Sequence, residues 1–317
     1  MKKIISIFAG LALSAALLWF AFREADLGAI LAVLAGVKTA PLALVVLTVT
    51  GELAVRGLKW SLLLAPAREV RPWDAARLET AALALNNLLP LRLGELARAA
   101  YGSELFNLHI STVLATILAE KALDLAALFA LAGAAAAFGG FAFSLPGWRP
   151  ALAVAAGLGL LFLASRRFAA RSPRLKRTAQ DLALGLKALR SPAAAAGVFA
   201  LSLFQWLLNA LNYYWLALAF GLSPAASLPR SVLLSFTGAA ASSAPGMPGY
   251  FGSFELAVSA VLGSWGIARE TALAYAAASH MLPYLVITAA GLFFIYNLGR
   301  SLGQVWARFA GLQTDMP

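Results

Sequence analysis

Apolar runs about as long as a bilayer is thick recur along the whole chain of 317 residues. Two examples are IISIFAGLALSAALLWFAF at 4–22 and PLALVVLTVTGELAV at 41–55. A helix needs roughly 20 such residues to cross about 30 Å of hydrocarbon. Charged residues make up 12% of the chain, against about 25% in soluble domains. The sequence therefore predicts an all-α polytopic integral membrane protein with a single transmembrane domain over residues 1–317.

Composition also narrows the chemistry. The chain has no cysteine, which excludes disulfides, thiolate catalysis and cysteine metal sites. Its two histidines, His109 and His280, are far apart in sequence, so we expect no metal site, and we expect no cofactor. The net charge of +11 could indicate nucleic-acid binding, but basic residues in membrane proteins mark cytoplasmic loops. We therefore attribute the charge to topology and expect no nucleic-acid partner.

The basic residues predict how the chain is threaded through the membrane. The densest basic stretch, residues 165–190, belongs on the cytoplasmic side, together with both termini. The first apolar run is interpreted as a retained span, because no cleavage site of a signal peptide precedes Arg23. We predict about six spans, near residues 4–22, 41–64, 110–137, 150–166, 193–220 and 273–298. The spans place the basic loops in the cytoplasm only if residues 78–105 and residues 231–265 each form a hairpin that returns to the side of the membrane it entered from. Such hairpins are either re-entrant or cross the membrane twice.

The two halves of the chain follow the same order of elements: span, span, broken hairpin, span. The first half begins inside and the second begins outside, which predicts an inverted repeat with halves at 1–145 and 150–300. Gly/Pro-interrupted apolar segments at matching places in inverted halves point to the binding site of a transporter. The alternative is chance agreement, since Gly and Pro are common in membrane helices.

The first hairpin contains NNLLPLRLGELAR at 86–98. Pro90 removes a helical N–H group and Gly94 relaxes the backbone, so we expect the helix to break near 88–91. Asn86 and Asn87 precede the break and could satisfy the freed backbone groups. Three charged residues then share one helical face, at every third position: Arg92, Glu95 and Arg98. The alternative is a surface loop followed by a solvated helix start.

The spans on either side of this hairpin carry charges as well. Glu120 lies about ten residues into a span, near mid-depth at about 1.5 Å per residue, and Asp124 shares its face. The spacing predicts that Lys121 pairs with Asp124, which leaves Glu120 seeking a partner. The other span pairs Glu52 with Arg56.

Residues 59–60 of that earlier span, Lys-Trp, are expected closer to the interface. Because a charge at the bilayer centre costs about 2.5–3.5 kcal/mol, we infer an internal ion-pair network. Its members are Arg56, Arg92, Arg98 and Lys121 against Glu52, Glu95, Glu120, Asp124 and Glu255. The alternative is that the network only holds the spans together.

The second hairpin contains SSAPGMPGYFGSFE at 242–255. Such a stretch can expose backbone N–H groups at a helix start, which favours an anion. A simple external turn is the alternative. The residues that break this hairpin are Pro245, Gly246, Pro248, Gly249 and Gly252, and Glu255 follows them.

The charged residues and the helix-breaking residues form four motifs, at residues 56–60, 87–98, 120–124 and 245–255. In order and spacing, they resemble the lysylphosphatidylglycerol synthase transmembrane-region family over nearly the whole chain. That family is the flippase-like membrane domain of the bacterial multiple peptide resistance factor. It also includes stand-alone proteins linked to lipid and polyprenyl-glycolipid pathways. The chain ends soon after Arg300, so we expect the soluble aminoacyl-transferase domain to be absent. Tyr250 departs from the family's more usual Pro-Gly-Gly-x-Gly.

The resemblance implies a flippase for a polar lipid, either a phospholipid or a polyprenyl-linked glycolipid, with membrane lipids as partners. Arg56, Arg92 and Arg98 would face phosphate. Glu95, Glu120 and Asp124 would hold these arginines and any substrate amine. The expected substrate-binding set is completed by Asn87, Pro90, Gly94, Lys121, Pro245, Gly246, Pro248, Gly249, Gly252 and Glu255.

No catalytic residue is expected. The alternatives are a membrane-embedded transferase acting on phospholipid or polyprenyl-phosphate, and a scaffold for a lipid-modifying enzyme. Further candidate partners are a second copy of the chain and such an enzyme.

Overall fold

The computed structural model describes residues 2–89, 93–139, 180–223, 225–243 and 248–297. Within these ranges the secondary structure is helical and contains no strand, so the predicted all-α class is confirmed. The first six helices are α1 (Lys2–Phe22), α2 (Leu27–Ala35), α3 (Thr39–Leu64), α4 (Pro72–Leu88), α5 (Leu93–Phe106) and α6 (Ile110–Gly139). After the gap follow α7 (Pro192–Ala219), α8 (Leu228–Ala241), α9 (Ser253–Ser264) and α10 (Arg269–Asn297). Two short 3-10 turns lie at Lys187–Arg190 and Pro248–Tyr250.

Four helices, α3, α6, α7 and α10, are long and apolar enough to cross a membrane. They coincide with the spans predicted near 41–64, 110–137, 193–220 and 273–298, and α1 coincides with the one at 4–22. The span expected at 150–166 lies outside the described residues. The inverted repeat therefore stays a prediction. Helix α2 is an unexpected element, and it begins where the Asp26 carboxylate accepts hydrogen bonds from the N–H groups of Gly28 and Ala29.

The two broken segments are pairs of shorter helices. The first pair has 17 residues in α4 and 14 in α5, and the second has 14 in α8 and 12 in α9. Each helix is shorter than the roughly 20 residues that a span needs. Helix α4 ends at Leu88 and α5 begins at Leu93, so the predicted break near 88–91 is confirmed. The first hairpin begins at Pro72, earlier than the predicted residue 78.

Helix α3 lies at the centre of the described bundle, because it packs against α4, α6 and α7. Its first half joins a core with Tyr213 and Phe254 of the second part of the chain. Its last turns join another core through Trp60. Close packing with α4 depends on Gly57, where a Cβ atom would lie 2.3 Å from the Cβ of Ala76. The fold thus surrounds the polar residues of α3 on several sides.

Candidate functional site

Nine charged side chains from α3, α4, α5 and α6 form one network, which we call the charge network and which is buried except at Glu95 and Lys121. A charged side chain at the bilayer centre is costly unless it is paired. In this network each charged side chain has an oppositely charged neighbour within 4 Å. Its members are Glu52, Arg56, Lys59, Glu79, Glu95, Arg98, Glu120, Lys121 and Asp124. The predicted internal network is therefore present, with two members that the sequence did not indicate.

Arg56 is bound through its Nη2 and Nε atoms to Oε1 of Glu52, at 2.8 and 3.0 Å. Its Nη1 atom lies 3.6 Å from Oε1 of Glu79. The second oxygen of Glu52 accepts a hydrogen bond of 3.1 Å from Asn209 on α7. The i,i+4 pair predicted on this helix is confirmed, and α4 and α7 hold it from two sides.

Arg98 is 1% exposed and contacts carboxylates of both α4 and α6. Its Nη2 atom lies 2.6 Å from Oε2 of Glu120 and 3.3 Å from Oε2 of Glu79. Its guanidinium carbon lies 3.8 Å from the ring centroid of Trp60. The Trp60 indole N–H donates to the hydroxyl of Thr116 at 3.1 Å, which fixes the ring beneath the guanidinium. A cation above an aromatic face gains further stabilisation when it is desolvated.

The expectation that Lys59 and Trp60 lie closer to the membrane interface stays a prediction, and within the protein both side chains are 0% exposed. The Lys59 Nζ atom pairs with Asp124, donates to Oε1 of Gln205 at 2.6 Å and lies 3.6 Å from Glu120. Neighbouring helices therefore enclose both side chains at this end of α3.

The predicted pair of Lys121 and Asp124 is also wrong. Lys121 pairs with Glu95 of the hairpin at 2.9 Å. Asp124 pairs with Lys59 and accepts a hydrogen bond of 2.7 Å from Ser202. The physical reason is that partners on neighbouring helices win over the i,i+3 partner on the same helix. Glu120, expected to seek a partner, finds it in the hairpin.

Glu79 is the carboxylate that the sequence motifs did not reveal. It is 2% exposed, and it lies between Arg56 and Arg98. Neither of its oxygens makes a hydrogen bond within the described residues. The nine side chains comprise four cations and five carboxylates, so one carboxylate is in excess when all are ionised. A lone acidic residue within the apolar run LETAALAL was the signal that could have revealed it.

The helix break itself is bound by asparagines. The Asn86 Oδ1 atom accepts from the N–H of Gly94 at 2.8 Å, which confirms the expected role for Asn86, whereas the Asn87 side chain bonds Thr288 instead. A Cβ atom at Gly94 would lie 2.0 Å from the carbonyl oxygen of Ala82, so the two hairpin helices approach at a position that requires glycine. Pro90 and Arg92 lie outside the described residues.

In the second hairpin, Gly252 begins α9 with a φ of 89°, in the region that favours glycine. Its N–H donates to Oε2 of Glu255 at 2.6 Å, so the expected free N–H at this helix start is occupied. Oε1 of Glu255 lies 2.6 Å from Nδ1 of His280. Glu255 therefore pairs with α10, and its predicted place in the charge network is wrong. Pro245 and Gly246 lie outside the described residues, and Pro248 and Gly249 form the short turn before α9.

Both hairpins line one cavity of about 200 Å³, which we call the hairpin cavity. The first hairpin contributes Asn87, and the region of the second contributes Tyr250 and Phe254. Asn87 donates to the hydroxyl of Thr288 at 2.9 Å. The remaining polar and aromatic lining includes Arg56, Trp206, Asn209, Asn212, Tyr213, Ser235, His280 and Tyr284.

A second cavity of about 300 Å³ lies between α4, α5 and α10, and we call it the apolar cavity. Its lining is largely aliphatic, with Leu78, Leu85 and Ile295 among its residues. Arg98 lies at its polar part. Because Glu79 contacts both arginines, the charge network joins the arginine of one cavity to the arginine of the other.

Comparison with known proteins agrees with this architecture. The sequence profile described as the lysylphosphatidylglycerol synthase TM region matches residues 7–291. A UPF0104 membrane protein of Methanothermobacter thermautotrophicus is 26% identical over 284 residues, which cover 80% of this chain and 82% of that protein. No solved structure matches the chain. The chain is thus a multi-pass membrane protein that belongs to the lysylphosphatidylglycerol synthase transmembrane-region family.

Proposed function

We propose that the protein moves a polar lipid across the membrane, as a flippase does, without a chemical step. The observation that carries this proposal is a cavity that both broken hairpins line and that contains Arg56, Asn209 and Asn212 in its wall, inside an otherwise apolar helical bundle. Backbone that leaves helical geometry at membrane depth must be buried in protein or line a wet cavity. Discontinuous helices around such a cavity are typical of transporter binding sites.

Arg56 is the residue that we assign to the phosphate of the headgroup. Its side chain is 13% exposed and lines the hairpin cavity. Glu52 and Glu79 hold the guanidinium from the protein side, so its orientation is set before a ligand arrives. Guanidinium groups bind phosphate through charge-assisted and often bidentate hydrogen bonds. This arrangement supports headgroup recognition at the hairpin cavity.

The apolar cavity is suited to part of an acyl or prenyl chain, because its lining is mainly aliphatic. Glu79 contacts the arginines of both cavities. We propose that transport alternates between two arrangements in which Glu79 pairs more tightly with Arg56 or with Arg98. Such a two-state exchange would let a headgroup at one arginine change the packing at the other. The proposed setting is the bacterial inner membrane, with both termini in the cytoplasm.

The test is translocation of fluorescent phosphatidylglycerol in reconstituted vesicles, measured as the rate at which label from the inner leaflet becomes accessible to external dithionite. We expect protein-containing vesicles to expose this label and protein-free vesicles to protect it. Arg56→Gln removes a charge-assisted contact of about 1.5–3 kcal/mol, so the rate falls about tenfold or more. Arg71→Gln is the matched control, because the Arg71 side chain is 82% exposed and lies outside both cavities.

Arg56→Lys keeps the positive charge, and it therefore distinguishes the loss of the guanidinium group from a general loss of folding. We expect intermediate transport from this variant and the same elution profile in size-exclusion chromatography as the wild type. Equal rates for wild type and Arg56→Gln would refute the assignment of the site. Absence of translocation by the folded wild type for phosphatidylglycerol and for a glycolipid would refute the function. Recovered lipids of altered mass after incubation with cell extract would instead indicate a transferase.

A further inference from the structure

We propose that the hairpin cavity selects a hydroxyl-rich headgroup without a cation, such as a sugar or polyol, over an aminoacylated one. The inference rests on the proposed function, since it names the class of lipid that would occupy that site. The cavity of about 200 Å³ lies below the roughly 300–1,000 Å³ of sites that enclose drug-sized ligands. Its size therefore suits a headgroup and leaves the lipid chains outside.

Two residues of the cavity wall carry polar atoms that lie beneath its surface and have no hydrogen-bond partner among the described residues. Asn212 is 5% exposed and lines the cavity. The Thr48 hydroxyl contacts its Oδ1 atom, and its Nδ2 atom has no hydrogen-bond partner among the described residues. Whichever way this amide is oriented, one of its polar atoms stays unpaired. Trp206 also lines the cavity, and its Nε1 atom is likewise buried and unpartnered within the described part of the chain.

Unsatisfied buried donors cost about 1–3 kcal/mol each, so an occupant that supplies acceptors would recover this free energy once a side-chain rotation brings the donor to the cavity surface. Asn209, another residue of the cavity wall, has a fixed side-chain orientation. Its amide donates to Glu52 and its oxygen accepts from Ser235 at 2.7 Å, which holds both ends of the side chain. Hydroxyl groups can donate and accept, so a polyol matches a wall of amides, hydroxyls and an indole N–H.

The charges of the wall disfavour a cationic headgroup. Among the described lining residues there is no carboxylate, and Arg56 is the permanently charged one. The nearest carboxylates are occupied: Glu52 binds Arg56 and Asn209, and Glu255 binds His280 and the N–H of Gly252. An ammonium group in this cavity would face Arg56 with no ionic partner of its own. The like-charge arrangement would reject it.

The aromatic residues complete the match. Tyr250, Phe254 and Tyr284 contribute apolar ring faces to the lining, and the tyrosines also bring hydroxyl groups. A sugar or cyclic polyol has apolar C–H faces and polar edges, so it can pack on such rings while its hydroxyls reach the amides. A lipid phosphate next to the ring would lie within reach of Arg56.

The test measures binding of three lipids with identical acyl chains by native mass spectrometry of the purified full chain in nanodiscs. Phosphatidylinositol carries phosphate and a neutral polyol, lysylphosphatidylglycerol adds a cation, and phosphatidic acid carries phosphate alone. We expect phosphatidylinositol to bind about tenfold more tightly than lysylphosphatidylglycerol. Equal or tighter binding of lysylphosphatidylglycerol would overturn the inference.

Asn212→Leu removes the unpaired amide while keeping a similar volume. We expect it to weaken phosphatidylinositol binding about threefold to tenfold, as for one lost hydrogen bond, and to leave phosphatidic acid unchanged. Trp206→Phe tests the same wall should the first variant fail to fold. Trp215→Phe is the control, because the Trp215 Nε1 atom is also unpartnered among the described residues but Trp215 does not line the cavity. An unchanged ratio of phosphatidylinositol to phosphatidic acid in both cavity variants would contradict the inference.

The two proposals can fail separately. Preferential binding of phosphatidylinositol without translocation of any lipid in vesicles would refute the transport function and leave the headgroup preference standing. Arg56-dependent translocation without this preference would refute the inference and leave the function standing.

Discussion

Removal of the Lys59 ammonium is the sharpest test of the charge network. Lys59 is fully buried and its Nζ atom contacts Asp124, Gln205 and, at 3.6 Å, Glu120. In Lys59→Met, Asp124 loses the single ionic partner that it has among the described residues and keeps the Ser202 hydroxyl. Breaking a buried pair in this way costs about 3–5 kcal/mol. Glu120 contributes less to that cost, because it keeps its cationic partner in the hairpin at 2.6 Å.

The measurement is the free energy of unfolding in mixed micelles of dodecyl maltoside and SDS, followed by far-UV circular dichroism. The double variant Lys59→Met/Asp124→Leu removes both charges, and we expect it to recover most of the lost stability. A remaining cost of about 1–3 kcal/mol comes from Gln205, whose Oε1 atom loses its donor. The magnitude of the coupling energy between the two sites should therefore be at least about 2 kcal/mol, because the cost of Asp124→Leu alone adds to the difference between Lys59→Met and the double variant.

Lys38→Met is the matched control on the same helix, because Lys38 lies at its exposed start. We expect a change of no more than about 0.5 kcal/mol there. Additive effects of the Lys59 and Asp124 changes, within about 0.5 kcal/mol, would refute the reasoning that these groups form a buried ion pair.

Two further predictions use the same unfolding assay. Glu79→Gln should change the unfolding free energy by no more than about 1 kcal/mol, because it removes the excess carboxylate and no hydrogen bond. Glu120→Gln should cost about 3–5 kcal/mol, because it takes the closest anion from a buried arginine. A larger loss of stability in Glu79→Gln than in Glu120→Gln would contradict the excess of one carboxylate in the network. Gly57→Ala should cost about 1–3 kcal/mol, since its Cβ would overlap Ala76. Gly197→Ala, which meets nothing within 4 Å, should be neutral or gain about 0.5–1 kcal/mol. Equal stability of these two alanine variants would contradict the packing of α3 on α4.

Much of the site could be recognised from the sequence, but its pairing could not. Charges within apolar runs are costly enough that Arg56, Arg98, Glu120 and Asp124 were identifiable from their positions in the sequence alone. The pairing prediction for Lys121 used spacing along one helix and was wrong, since its partner Glu95 comes from another element. Helical spacing describes neighbours on one cylinder, and it contains no information about which helix lies opposite.

The sequence by itself determined the class of the protein and the places where its helices break. Apolar length dictates membrane-crossing helices, and a proline, which lacks the helical N–H group, predicts the break between α4 and α5 from the local sequence. The tertiary structure alone decided that Lys59 is fully buried, that Glu79 joins two arginines, and that Glu255 pairs with His280. These outcomes depend on which faces of separate helices meet. Which side chains are buried and which groups pair depends on the packed bundle, whereas a helix and its break depend on the local chain.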